Sequence, residues 1–331
     1  MTSVSLRRAK RPLRLTDETV DGKRRSASWV RMNVAGALGI DRSLAALGMA
    51  RPVLIVSGFW RSGTTWLQEC LAESLGAKTV FEPLSPMEPK RRAALATAAF
   101  STEDGLQAFV PGPDQDRAFW GSLRAAAHGR HGSRFSLSCR RGLCESFRTG
   151  IVVKDVRLHR NLQAAHQHFR VPIIHIRRHP CAVVASLRAA NWHWSFERIS
   201  LFDAQYQHED PGLLRECDSD AVSRLAAFWA LHEREAAAAL RDQPWAHEMT
   251  YEAMVKAPRR QIGAACEALG LRIVRQAASE RPSASIDPTA FAATDKRDLD
   301  TWRTRLAGPE IERIEQVVTR LYPAWRTLWA A

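Results

Sequence analysis

In Val53-Leu-Ile-Val-Ser-Gly58-Phe-Trp-Arg61-Ser-Gly63-Thr64-Thr65-Trp66-Leu67, a short β-branched apolar run passes through two glycines into the start of a helix. Val53 to Val56 suits a parallel strand buried on both faces. Gly58 and Gly63 permit backbone angles that other residues resist, so the chain between them can close around an anion. Thr64 and Thr65 then stand where unpaired N–H groups, two hydroxyls and the positive end of a helix dipole converge on one phosphate. The helix continues through Trp66, Leu67, Cys70, Leu71 and Leu75.

The spacing approaches the G-x-x-x-x-G-K-[ST] pattern of nucleoside triphosphatases, but Thr64 occupies the lysine position and Arg61 is the only cation of the loop. Threonine cannot supply the charge that holds β- and γ-phosphates. A cation three places earlier resembles the 5′-phosphosulfate loop of the sulfotransferases that use 3′-phosphoadenosine 5′-phosphosulfate (PAPS). The usual family text is P-K-S-G-T-T-W-L; here it reads Trp60-Arg61-Ser62-Gly63-Thr64-Thr65-Trp66-Leu67. The resemblance implies a P-loop-like α/β fold in which Arg61, Ser62, Gly63, Thr64, Thr65 and Trp66 bind the donor.

A second strand-to-helix unit follows in Val171-Pro-Ile-Ile-His-Ile-Arg-Arg178-His-Pro180-Cys-Ala-Val-Val-Ala-Ser186. It is similar to the family's 3′-phosphate motif, R-D-P-x-x-x-x-x-S, with Arg178 and Ser186 eight positions apart. A helix across that interval brings the Ser186 hydroxyl toward a phosphate held by the strand-end arginine. His179 replaces the family's aspartate, which reads as a turn and capping residue, so the phosphate contacts are expected to survive. A strand that ends in arginines is commonly a solvated edge; two phosphate motifs in the family's order outweigh that reading.

Sulfuryl transfer to a hydroxyl needs a base for the acceptor proton, cations around the migrating group, and stabilisation of the departing phosphate. That phosphate is weakly basic, so an arginine such as Arg61 can serve it, and no metal is expected. Glu82, in Val80-Phe-Glu-Pro83, lies 21 residues after Arg61 at an expected strand end. The tyrosylprotein sulfotransferases place their catalytic glutamate at a similar interval and the carbohydrate sulfotransferases carry a similar F-E-P text, which implies Glu82 as general base. A strand-end ion pair is the plain alternative, and His179, His166 and His168 are competing bases. Lys154, in Ile151-Val-Val-Lys-Asp155-Val-Arg157-Leu, ends a buried run and must reach water or an anion. Its text resembles the family's K-x-x-R-L segment, where the lysine supports the sulfuryl group; Arg157 is a further candidate for substrate or cofactor. Arg281-Pro-Ser283 resembles a serine-bearing loop that contacts the cofactor, which adds Ser283 to Arg61, Lys154 and Glu82 as catalytic candidates. Tyr251-Glu252 resembles the family's Y-E-D text and reads as scaffold. Lys296-Arg297 precedes Trp302 where aryl sulfotransferases have a glycine-bearing cofactor loop; both glycines are missing, and the resemblance implies a 3′-phosphate contact by Lys296 or Arg297.

With 331 residues and 45% hydrophobic content, the chain reads as a single domain over residues 46–331 behind a basic extension over residues 1–45. The extension carries Arg7-Arg8-Ala-Lys10-Arg11 and Lys23-Arg24-Arg25 and reads as a solvated tail, partly disordered or helical. There is no run of eighteen apolar residues and no apolar core in the first thirty positions, so a soluble, cytoplasmic protein with no transmembrane segment is expected. The six cysteines are expected as free thiols, with a local Cys139–Cys144 bridge as the alternative. The formal charge of +13 rests mainly on scattered arginine, for only seven residues are lysine. A nucleic-acid or membrane-surface protein would cluster its basic and aromatic residues, so no nucleic-acid partner is expected. The eleven tryptophans read mainly as core, for example Trp229 and Trp325, whereas Trp192 and Trp194 are candidates for the adenine or acceptor pocket.

Strands are expected near 52–57, 78–82, 150–156, 171–177 and 245–251, and helices near 64–76, 158–169, 180–190, 218–242, 257–270 and 308–321. That alternation predicts a mostly parallel sheet covered by helices on both faces. Residues 84–149, rich in proline and glycine, break it and read as a variable lid and acceptor region. The expected reaction moves a sulfuryl group from PAPS to a hydroxyl of a carbohydrate or a small-molecule alcohol, leaving 3′,5′-adenosine bisphosphate (PAP). The alternative is a phosphotransferase, which requires a lysine after Gly63 and a magnesium-binding carboxylate, for which Asp155 is the one candidate.

Overall fold

The structure is a computed structural model that describes residues 34–85, 117–130, 133–192, 209, 211–277 and 299–329. In chain order the elements are α1 (Val34–Ala46), β1 (Arg51–Gly58), α2 (Thr64–Ser74), β2 (Lys78–Phe81), α3 (Arg117–Ala127), β3 (Gly150–Lys154), α4 (Leu162–Phe169), β4 (Ile173–Arg177) and α5 (Pro180–Ala189). They continue with α6 (Pro211–Asp218), α7 (Ala221–Leu240), β5 (Ala246–Thr250), α8 (Tyr251–Lys256), α9 (Pro258–Ala268) and α10 (Gly308–Leu321). Five parallel strands form one sheet in the order β2-β3-β1-β4-β5.

Alternate residues of each central strand enter opposite cores, as the period of two requires. Leu54 and Val56 of β1, Val152 of β3, and Ile174 and Ile176 of β4 pack with α2 and α9. Ile55, Ile151, Val153 and Ile173 pack on the other side with α3, α4 and the end of α7. This two-faced burial is why the strands read as continuous apolar runs. Gln68 of α2 is buried and donates its Nε2 to the carbonyls of Val80 (2.9 Å) and Val152 (2.8 Å), which ties the helix across β2 and β3.

Helix α6 precedes the expected helix over 218–242, which is α7 and begins three residues late, after Asp220. Its carboxylate accepts from the Val222 and Ser223 amides, both at 2.8 Å, and so starts a new helix at Ala221. In the stretch expected as a lid, α3 and two 3₁₀ segments, Phe135–Leu137 and Leu143–Phe147, are described. Residues 34–45, within the stretch read as a basic extension, lie in α1, whose Asp41 is fully buried against Lys78 and Arg140, each at 2.7 Å. Cys139 is a buried free thiol and Cys144 an exposed one. No helix among the described residues is long and apolar enough to cross a membrane.

A buried polar layer lies beneath the β1–α2 loop. His175 Nε2 and Arg177 Nε both meet Glu233 Oε2 at 2.9 Å, and the ring of His232 stacks on His159 with centroids 3.9 Å apart and meets Phe59 edge-on at 5.0 Å. Burial lowers the pKa of His232 to about 4 and pushes that of His159 well below the usual value. Unfolded imidazoles take up protons below about pH 6.5, so each contributes stability above that pH and loses it as the pH falls. Asp155, raised by burial to about 6, acts in the opposite direction between its unfolded and folded values. Two imidazoles outweigh one carboxyl, His232 alone costing about 2 kcal/mol at pH 5. Urea midpoints should therefore fall clearly between pH 7 and pH 5, and His232→Asn should reduce that dependence.

Candidate active site

The register of the sheet sets four candidate groups side by side. Lys154 at the end of β3 is level with Val56 of β1 and Phe81 of β2, and Gly58 at the end of β1 is level with Ile176 of β4. The β1–α2 loop, Glu82, Lys154 and Arg178 thus all lie at the carboxyl edge of one parallel sheet, the edge where α/β proteins place ligands.

The loop after β1 is held open by close packing. A side chain at Gly58 would meet the Ile176 carbonyl at 2.4 Å, and one at Gly63 would meet the Tyr251 ring at 2.5 Å. Gly63 is left-handed (φ 88°) and immediately precedes α2. Arg61 also adopts a left-handed backbone (φ 65°), a strained geometry for a residue with a side chain. Arg61 Nε donates to Ser186 Oγ (2.9 Å) and Arg178 Nη1 donates to the Arg61 carbonyl (3.0 Å). The two motifs, separated by more than a hundred residues in sequence, therefore meet at one place. Among the described residues neither Arg61 nor Arg178 is paired with a carboxylate, and burial together with the Arg178 charge lowers the pKa of Arg61. Arg178 Nε and the Ser62 hydroxyl are buried without a hydrogen-bond partner among the described residues. Such groups fit an anion with several acceptor oxygens.

The second half of the site centres on Glu82, which follows β2 with a left-handed backbone (φ 36°). Lys154 Nζ pairs with Oε1 of Glu82 and Arg157 Nη1 pairs with Oε2 at 3.1 Å. Burial alone would raise the carboxyl's pKa, but the two cations outweigh it and hold the group below the ordinary glutamate value. Lys154 is buried and lies over the Phe81 ring, 4.4 Å from its centroid. Its partner is Glu82, while the adjacent Asp155 accepts from the amides of Leu84 (2.8 Å) and Arg157 (2.9 Å). The Arg157 guanidinium lies 5.3 Å from the Trp60 ring, linking the Glu82 cluster to the β1–α2 loop.

The competing histidines are engaged elsewhere. His166 stacks on Trp245 and bonds the Val171 carbonyl, and His168 meets Trp120 edge-on. His179, beside Arg178, stacks on Trp302, and burial, Arg303 and Arg326 lower its pKa to about 4. Thr64 and Thr65 are buried at the start of α2, and Trp66 is half-buried against Tyr251. Ser283, Lys296, Arg297 and Trp194 lie outside the described residues. Trp192 packs half-buried against the α5–α7–α10 core. Tyr251, read from sequence as scaffold, stands between the β1–α2 loop and Arg178, its ring against Gly63 and 4.5 Å below the Arg178 guanidinium. The one sequence signal for it was the Tyr-Glu pair after β5.

A family model described as the sulfotransferase family matches residues 52–275. A comparison with curated proteins finds no match. Among solved structures, the chain is similar to the sulfotransferase domain of the Synechococcus PCC 7002 olefin synthase, at 18% identity and TM-score 0.42 over 81% of this chain and 94% of that one. A sulfotransferase from Alicyclobacillus acidocaldarius aligns at 15% identity and TM-score 0.37 over 84% and 99% of the two chains. Retinol dehydratase in a complex with retinol and PAP aligns at 14% identity and TM-score 0.42, with 85% of each chain covered. These likenesses are too low to carry the assignment, which rests on the family model over about two-thirds of the chain: the protein belongs to the sulfotransferase family.

Proposed function

We propose that the chain transfers the sulfuryl group of PAPS to a hydroxyl of a carbohydrate or small-molecule alcohol, with Glu82 as the base. The observation that carries this reading is the meeting of Arg61 and Arg178 at the start of α2 with no carboxylate among the described residues to balance them. Thr64, Thr65 and the first amides of α2 would hold the 5′-phosphate; Arg178 and Ser186 would hold the 3′-phosphate. Arg61 and Lys154 would place positive charge where the leaving oxygen and the migrating group carry negative charge. Ser283 and Lys296 or Arg297 keep the cofactor contacts that the family text implies. When bound, PAPS supplies an activated sulfuryl group whose departure leaves PAP. Glu82, ionised at neutral pH, would accept the hydroxyl proton of the acceptor.

A magnesium-dependent phosphotransferase finds little support in this geometry, since both oxygens of Asp155 are taken by backbone amides. Titration calorimetry with PAP and with magnesium–ATP tests the choice. Metal-independent PAP binding is expected, weakened about 100-fold or more in Arg178→Ala by loss of a charged bidentate donor and its partners. Tight magnesium–ATP binding without a PAP preference would overturn the reading.

A further inference from the structure

Resting on that reading, we propose that Glu252 and Trp329 are positioning residues for the 3′-phosphate arginine, and that segment Pro323–Trp329 is the strap through which they act. His179 follows Arg178 directly and precedes Pro180, the first residue of α5. Its side chain makes no hydrogen bond to cap α5, so the aspartate that the family places here has lost its local substitute. The geometry supplies a distant one. The His179 amide donates to Glu252 Oε1 at 3.0 Å, and Trp329 Nε1 donates to Glu252 Oε2 at 3.0 Å. Both oxygens of one carboxylate are thereby used, one on the backbone beside Arg178 and the other on the strap.

The ring of His179 is fixed by the strap together with Trp302. It stacks on Trp302 at 5.0 Å with planes 13° apart, and meets Trp325 and Trp329 edge-on at 5.4 and 6.0 Å. Trp325 and Trp329 also meet each other at 6.0 Å, so the strap presents two indoles to one imidazole. Arg178 is held on its other side by the Arg61 carbonyl and the Tyr251 face. The residue that fixes its backbone is therefore Glu252, and the residue that fixes Glu252 is Trp329. Glu252 is adjacent in α8 to Tyr251, whose ring lies under Arg178. A carboxylate at this end of α5 also suits the helix dipole.

The consequence is selective. Loosening the strap should cost affinity for a nucleotide with a 3′-phosphate and spare one without it, because AMP reaches the loop after β1 but not Arg178. The test is calorimetric binding of PAP and of AMP to the full chain, for wild type, Trp329→Phe and Glu252→Gln, with thermal midpoints as a folding control. Trp329→Phe keeps the ring packing and removes only the N–H. It is expected to raise the PAP dissociation constant about tenfold while AMP changes less than about twofold. Glu252→Gln should fall in the same direction, since its amide oxygen accepts one of the two bonds. Equal weakening of PAP and AMP, or no change in either, in variants whose midpoints match wild type would overturn the proposal. Wild-type protein that binds PAP no better than AMP would instead overturn the donor assignment on which it rests.

Discussion

Glu82→Gln is expected to lower sulfuryl turnover about 100- to 10,000-fold, the usual contribution of a positioned general base, while PAP binding stays within about threefold of wild type. The two halves of that expectation come from different parts of the site. Glu82 makes its contacts with Lys154 and Arg157, and Arg61 and Arg178 make theirs with each other and with Ser186 and Tyr251. Glutamine preserves the volume and one acceptor oxygen for Arg157, so the loss isolates basicity from packing. Two cations hold Glu82 below its ordinary pKa, so it stays ionised on acidification, and kcat/KM should hold through about pH 5 where an unpaired glutamate begins to protonate. The measurement is PAPS-dependent sulfation of the first acceptor recovered from a panel of sugar, phenol and alcohol hydroxyls. Turnover of Glu82→Gln within tenfold of wild type would remove Glu82 as the base and leave it as a support for Lys154.

That cluster also shows what the sequence could carry and what it could not. The β1–α2 loop is local: its strand, glycines, arginine and threonines are contiguous, so its geometry follows from text alone. The alternation of strands and helices fixed the parallel sheet for the same reason, since each βα unit is read within about thirty residues. Tyr251 and Glu252 were visible only as a family-like pair, because their roles depend on Gly63, Arg178, His179 and Trp329, all distant in sequence. Arg157 could be suspected but not placed, since its position depends on Asp155 and on Trp60 across the sheet. Helix α6 was missed because its eight residues open on Pro211-Gly212 and are too short for a clear period, while the capping bonds of Asp220 set the start of α7. Two lysines end up buried at strand ends, and the sequence singled out only Lys154. Lys154 is at the carboxyl end of a strand and Lys78 at the amino end of another, and only the former faces the candidate active site.

Lys78 leads to the largest expected effect on stability. Asp41 of α1 is fully buried and pairs with Lys78 Nζ and Arg140 Nη2, each at 2.7 Å, while Lys78 also donates to the Ser146 carbonyl at 3.1 Å. Arg140 adds bonds to Ser146 Oγ at 2.9 Å and the Thr79 carbonyl at 3.3 Å. Burial lowers the pKa of Lys78, and Asp41 opposes that shift. One carboxylate thus balances two cations at the amino edge of β2 and ties α1 to the sheet. Asp41→Ala would leave both cations buried without their anion, and should destabilise the protein by about 3–5 kcal/mol. An exposed pair such as Arg326–Glu315 should cost under about 1 kcal/mol when Glu315 is truncated. Urea denaturation of the two variants separates the cases. Replacing Asp41, Lys78 and Arg140 together by leucine or methionine should recover much of the loss, because the cost lies in the stranded charges and not in the missing attraction. A shift below about 1 kcal/mol in Asp41→Ala would mean that water reaches the two cations and that α1 is held to the domain by its apolar face alone.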